Sequence, residues 1–344
     1  MRCAIVGSGL AALASYATLR HAGVRPDEIV VFGTDADPTA AWRVRASSIR
    51  QERMRSESDG HLAPASFPGL ALRERSLRAL AQTVAGRYRP PVALFLAHAQ
   101  DVRRRTGWDE SFVPRRVACV RVVEGGFELD GEGPFAHVLL APGHPGLERV
   151  PGAVHAYEPH EYAAKVAVIG AGMAAATEWR NALAVGSEVV SIRRREPLRR
   201  PLNVPRRYFS KRGLTGFHRL SHEARARTLR DLSRPSYPPG REWDVDVPVV
   251  DAPPDGFQVI AATGFRRGFR ADMLLADLVE RHGLETHDRW IVVDPDSTVP
   301  ALTTGRRTLS LAGVPGQWAF PAADTIAGAK YAARAFARRV CRTR

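Results

Sequence analysis

Two stretches of this 344-residue sequence repeat one spacing: Gly7-Ser8-Gly9-Leu10-Ala11-Ala12 and Gly170-Ala171-Gly172-Met173-Ala174-Ala175. In such a turn the first glycine allows a tight reversal, the second lets a pyrophosphate approach the backbone, and the small last residue lets helix and strand pack. The anion is then held by amide groups and the positive end of a helix, so no cationic side chain is required. Alone, the pattern is weak. Its placement gives it force: each copy follows a short apolar strand, Cys3 to Val6 or Lys165 to Ile169, and opens a helical segment. Both turns therefore read as dinucleotide sites, formed by Gly7, Ser8, Gly9, Leu10 and Ala12 and by Gly170, Ala171, Gly172, Met173 and Ala175.

The residues beyond each turn differ. A ribose-binding acid is expected at the end of the second strand, roughly 20 residues past the glycines, yet Phe32 runs into Gly33. Asp35 is the nearest carboxylate, and it has two open readings, a ribose acceptor or a turn residue. In the second copy the corresponding strand ends in Arg193-Arg194-Arg195. A carboxylate there would repel a 2′-phosphate, whereas guanidinium groups bind one through several donors, so these arginines point to NADPH. The competing reading is a solvated basic loop in an arginine-rich chain.

The elements that must position these turns follow from the pattern of apolar residues. Cys3 to Phe32 and Lys165 to Ile192 each form a strand-helix-strand unit, with Gly23 stopping the first helix and the second helix ending near Ala184. Asp35 to Leu72 is a polar, turn-rich excursion, Pro91 to Arg105 is helical, and Val117 to Leu140 reads as short antiparallel strands around Gly125-Gly126. Gly143 to Tyr162 suits an interdomain connection. Pro197 to Gly240 is basic and partly helical, best at Ser221 to Leu232, and is expected to insert within the second unit. Val259 to Ala262 echoes Leu139 to Gly143 as a crossover strand; Trp290 to Val293 and Leu309 to Ala312 are further strands. A closing helix over Ala322 to Val340 starts beside Asp324 and Thr325, residue types favoured at helix starts. The expected fold is α/β, with two Rossmann-like three-layer dinucleotide-binding domains, residues 151–261 inserted between 1–150 and 262–344.

Bulk properties exclude several classes. Apolar and charged fractions of 44% and 25% are those of a packed globular chain. No apolar run approaches the roughly 20 residues that cross a bilayer, so no membrane partner is expected. Cys3, Cys119 and Cys341 form neither a CxxC pair nor a metal-ligand spacing, which suits a reducing cytoplasm and no metal. The apolar start to Ala17 is broken by Gly7 and Gly9, so it reads as strand, turn and helix rather than a secretory signal. The net charge of +14 comes from arginines spread along the chain with no recognition motif, which argues against a nucleic-acid partner.

Taken in order, Gly7-Ser8-Gly9, Gly170-Ala171-Gly172, Ala262-Thr263-Gly264 and Asp324-Thr325-Ile326-Ala327-Gly328-Ala329 resemble the class B-like flavoprotein monooxygenases. That group includes the flavin-containing monooxygenases and the N-hydroxylating amine, ornithine and lysine hydroxylases. The likeness spans essentially the whole chain through a handful of short segments. It implies FAD on the first domain, NADPH on the second, and the start of the closing helix beside the flavin. Gly143, Gly313, Asp324, Thr325 and Ile326 are then flavin neighbours, and Thr263 and Gly264 cofactor neighbours. Trp42, Gln51, Met54-Arg55-Ser56 and Asp59-Gly60-His61 fall where related enzymes wrap a loop across the flavin, which makes Ser56 and His61 the catalytic candidates and Trp42 and Gln51 cofactor contacts. Arg206, Arg207, Tyr208 and Lys211 face an acidic substrate, the NADPH phosphate or only solvent. Two segments depart from the family pattern: Val150-Pro151-Gly152-Ala153-Val154-His155-Ala156-Tyr157 lacks the linker's phenylalanine, and Ala141-Pro142-Gly143 replaces Ala-Thr-Gly.

The implied activity is NADPH-dependent formation of a C4a-hydroperoxyflavin from molecular oxygen, followed by oxygenation of a small nucleophile, foremost an amine. Because the cofactor carries this chemistry, the sequence need not display an acid, base or nucleophile. Two alternatives stand: an NAD(P)H-flavin reductase or oxidase without oxygen insertion, and a non-catalytic nucleotide-binding protein. A thiol-disulfide reductase is disfavoured by the absence of paired cysteines in the second domain.

Overall fold

The computed structural model describes residues 2–55, 61–64, 69–200, 204–240, 243 and 245–343. The chain begins with β1 (Cys3–Val6), α1 (Leu10–His21) and β2 (Ile29–Gly33). α1 ends where Gly23 takes φ +86°, a conformation that costs a glycine little. Helices α2 (Ala40–Ser48), α3 (Leu70–Arg73), α4 (Leu77–Val84), α5 (Val92–Thr106) and α6 (Trp108–Ser111) precede β3 (Phe112–Pro114). An antiparallel meander of β4 (Val120–Val123), β5 (Gly126–Leu129) and β6 (Glu132–Phe135) then leads into β7 (His137–Leu140).

The second unit comprises β8 (Val154–His155), β9 (Lys165–Ile169), α7 (Met173–Ala184) and β10 (Glu188–Ile192). There follow β11 (Leu198–Arg199), α8 (Lys211–His218), α9 (His222–Leu232), β12 (Ser236–Tyr237) and β13 (Gln258–Ala261). The remainder holds α10 (Met273–His282), β14 (Thr286–His287), β15 (Trp290–Ile291), β16 (Thr308–Leu311) and α11 (Ile326–Arg342).

Two parallel sheets organise the chain. The first runs β16-β7-β1-β2-β3, and the second β10-β9-β13-β8. Residues 154–261, which supply the second sheet, lie in sequence between β7 and β16 of the first. Because side chains alternate across a strand, each face of the first sheet collects its own core. Cys3, Ile5, Val31 and Leu139 join Leu13, Tyr16 and Phe336 from α1 and α11. Ala4, Val6, Phe32 and Leu140 instead meet Phe127 and Phe135 of the meander. The second sheet buries Val166, Val168 and Ile260 against Ala175 and Trp179 of α7.

Several elements differ from the sequence reading for identifiable reasons. The polar excursion after Asp35 contains α2, which buries only Ala46 along its length. Ring contacts hold that helix: Trp42 meets Phe95 edge-on at 5.5 Å, and Arg45 lies 4.8 Å above Phe265. The connection after Gly143 adds β8, a fourth strand in the second sheet, and β7 leaves the meander to pair with β1. The strand expected at Trp290 to Val293 shortens to a small hairpin with Thr286–His287. Residues Tyr208, Phe217 and Leu229 share a core with Leu275, Trp318 and Phe320 rather than with the second sheet. No helix among the described residues is long and apolar enough to cross a membrane.

α1 packs along α11, and Phe336 is fully buried between them and the sheet. Phe336→Ala should therefore cost about 3–5 kcal/mol, read as a lowered midpoint at unchanged slope in urea unfolding.

Candidate functional site: a cleft between two matching turns

The two glycine turns are built alike. Gly7 has φ +111°, donates its amide to the Phe32 carbonyl at 2.8 Å, and would place a Cβ 2.1 Å from the Ala141 carbonyl oxygen. Gly170 has φ +140°, donates to Ile192 at 3.0 Å, and would place a Cβ 2.6 Å from the Ala262 carbonyl oxygen. No side chain fits at either position. Each turn is thereby locked between the ends of two neighbouring strands. Gly9 and Gly172, by contrast, are extended helix N-caps that face open space and use no side chain to satisfy the first-turn amides. Those amides are left for an anion. Ala12 and Ala175 are fully buried, which lets α1 and α7 press onto their sheets.

A cleft of about 1460 Å³ opens beside both turns, larger than the roughly 300–1,000 Å³ of a single-ligand pocket. Leu10 and Gly143 line it from the first unit, and Gly170, Ala171, Gly172 and Met173 from the second. Thr263 and Gly264 follow β13 on the same wall, although the Thr263 hydroxyl is occupied by the Glu148 carbonyl. Gly313 and the start of α11 complete it through Asp324, Thr325 and Ile326. Thr325 caps α11 by accepting from the Gly328 amide at 3.2 Å. Asp324 opens onto the cleft, yet desolvation by the surrounding protein pushes its carboxyl pKa above the usual value.

The loop after α2 is fastened across this cleft onto α7. The Arg55 guanidinium donates to Thr177 Oγ1 at 2.7 Å, and Asn181 Nδ2 donates to the Ile49 carbonyl at 3.0 Å. Arg50 lies 4.7 Å above Tyr162, and Phe265 stacks on both His144 and Tyr157 at 3.8 and 5.1 Å. Burial lowers the His144 pKa to about 4, so its ring is neutral at neutral pH. Trp42, Gln51 and Met54 line the cleft from this loop.

Other expected residues lie elsewhere. Ser56, Asp59 and Gly60 fall outside the described residues. His61 is not part of the cleft lining, and its backbone carbonyl accepts from Lys330. Asp35 is exposed and accepts from the Asp37 amide at 2.9 Å, the bond of a turn residue. Arg193 is engaged, 3.0 Å from Glu196 and 5.4 Å above Trp179, whereas Arg194 and Arg195 are exposed. The missing acid at Gly33 has a steric cause: a Cβ there would sit 2.3 Å from the Ser8 Cβ and 2.5 Å from its hydroxyl. The Ser8 side chain fills the place where the acid would begin.

No protein-family model and no curated protein matches the sequence. Solved structures match the fold. Ornithine hydroxylase from Pseudomonas aeruginosa superposes with a TM-score of 0.69 at 16% identity, covering 98% of this chain and 99% of that one. The ornithine N-hydroxylase of Kutzneria sp. 744, described with reduced FAD, NADP+ and L-ornithine, gives 0.69 at 15% identity over 98% and 99% of the two chains. This chain has the fold of the flavin-dependent N-hydroxylating monooxygenases. Bacillithiol disulfide reductase from Bacillus cereus shares the fold at a TM-score of 0.58 and 15% identity, over 98% of this chain and 99% of that one.

The Ser8–Gly33 contact can be tested by stability alone. Gly33→Ala should destabilise the protein by about 1–3 kcal/mol through overpacking. Adding Ser8→Gly should return most of that loss, measured as a non-additive double-mutant cycle in urea.

Proposed function

We propose that the first turn binds FAD and the second NADPH, and that the protein is a monooxygenase that hydroxylates a small amine. Residues 151–261 then form an NADPH domain set between FAD-binding residues 1–150 and 262–344. The observation that carries the assignment is the difference between two otherwise matching turns: Ser8 packed on Gly33 at one, exposed Arg194 and Arg195 at the other. Guanidinium groups at a strand end with no acid partner among the described residues suit a 2′-phosphate. Both turns fit dinucleotides, because their first-turn amides are uncapped and their second glycines face open space.

A bound flavin reduced by NADPH supplies the activation of oxygen. The chain positions and shields. Gly9 and Gly172 offer amides to the two pyrophosphates, and the start of α11 presents its positive end to the cleft. The ties from Arg55 to Thr177 and Asn181 to Ile49 hold the overlying loop closed against water. Neutral His144 adds no charge to the wall. The two hydroxylases named above act on ornithine, which supports an amine substrate with molecular oxygen as its partner. A reductase is the second reading, favoured by the fold shared with the bacillithiol enzyme. Disulfide exchange finds no support, because Cys3 is buried and none of Cys3, Cys119 and Cys341 lines the cleft.

The test is anaerobic reduction of the flavin-loaded protein by NADPH or NADH, followed by rapid mixing with oxygen. A monooxygenase returns oxidised flavin slowly, through a spectrum belonging to neither the reduced nor the oxidised form. Immediate return to oxidised flavin favours the reductase, and no reduction by either nucleotide removes the enzymatic reading. Replacing Arg194 and Arg195 with alanine should weaken NADPH by about tenfold or more and leave NADH nearly unchanged. Equal losses for both coenzymes would sink the phosphate assignment.

A further inference from the structure

Several cations in the cleft are held by an acid, a carbonyl or a ring. Arg200 and Arg234 face Asp231, Arg206 donates to the Gly86 carbonyl, and Arg45 rests on Phe265. Arg267 and Arg289 are set apart by sharing one partner. Arg267 donates to the Ser233 carbonyl at 3.3 Å and Arg289 to the Ser233 hydroxyl at 3.2 Å, so both guanidinium groups converge on one residue at the end of α9. Neither has an ion pair among the described residues. Asp288, the acid next to Arg289 in sequence, is held by Arg230 at 2.9 Å, and Asp272 caps α10 through the Leu275 amide. Asp324 shares the cleft and senses Arg267 without contacting it.

The placement is built into the backbone. The Phe269 amide donates to the Arg289 carbonyl at 3.2 Å, and Gly268 runs so close that a Cβ there would lie 2.7 Å from the Arg289 Cβ. Arg289 is half-buried and packed 4.7 Å over Trp290. Two guanidinium groups held together with no ion-paired acid among the described residues repel one another, and desolvation together with the charge of Arg267 lowers the Arg289 pKa. Such a pair is relieved by an anion, which planar guanidinium groups bind through paired donors.

We propose that Arg267 and Arg289 form an anion subsite that receives a carboxylate or phosphate group of a ligand in the cleft. The idea deepens the flavoprotein reading above and rests on it for the identity of the ligand. Two sources share this chemistry: an acid group on the substrate, which would make the substrate an amine bearing a carboxylate or phosphate, or a phosphate of the nicotinamide coenzyme.

Isothermal titration of the purified protein with succinate and with inorganic phosphate tests the subsite directly, with flavin content determined separately. The wild-type protein should take up one equivalent of at least one probe. Arg267→Gln, whose side chain is exposed and whose fold should survive, should weaken that binding, and the double variant with Arg289→Gln should weaken it by about tenfold or more. Arg289→Lys should lose less than Arg289→Gln. Binding of the probe on top of saturating NADP+, with NADPH affinity unchanged in the double variant, assigns the subsite to substrate. Competition with NADP+ and a matching loss of NADPH affinity assign it to the coenzyme. No uptake by the wild-type protein, or equal uptake by wild type and double variant at equal melting temperature, overturns the subsite. A protein that lacks flavin yet loses anion binding in the double variant keeps the subsite and removes the flavoprotein reading instead.

Discussion

One steric constraint organises the site: the carbonyl oxygen ending a crossover strand presses against the first glycine of a dinucleotide turn. Ala141 does this to Gly7 and Ala262 to Gly170, at distances no Cβ could share. The contact fixes where each helix begins, and therefore where its uncapped amides point. Both sets of amides open toward one cleft because the two sheets repeat the same strand, turn, helix and crossover. Gly143 and Gly264, two residues beyond the pressing carbonyls, have φ of +80° and +84° and carry the repetition into the cleft wall.

Once the turns are fixed, the remaining interactions decide what the cleft can hold. The start of α11 adds a third helix end, capped by Thr325, and brings Asp324 into a setting that disfavours its charge. The segment from Arg45 to Arg55 borders the cleft and is tied by ring contacts to Phe265 and Tyr162 and by a hydrogen bond to Thr177. Arginines exceed acids along the walls, which matches a site for phosphorylated cofactors and anionic ligands.

What could be read from the sequence follows physical range. Both strand-helix-strand units, their glycines and the cap region of α11 were legible, because strand and helix periods and glycine turns are local signals. Gly33 was visible as a departure, but its cause was not, since Ser8 and Gly33 meet only when β1 and β2 pair. α2 was hidden for a similar reason: its own apolar pattern is thin, and Phe95 and Phe265 hold it from distant segments. No spacing rule joins Arg267 to Arg289; a backbone approach at Gly268 does. The bond from the Asp37 amide to Asp35 is likewise seen only in the folded chain.

If the two matching turns hold different nucleotides, a pair of glycine substitutions separates them. Gly7→Ala and Gly170→Ala each force a Cβ into a strand-end carbonyl, so their damage is sterically alike. Gly7→Ala should then be purified without flavin, whereas Gly170→Ala should retain flavin in full and lose its reduction by NADPH. Loss of flavin from Gly170→Ala with retention in Gly7→Ala would contradict that assignment.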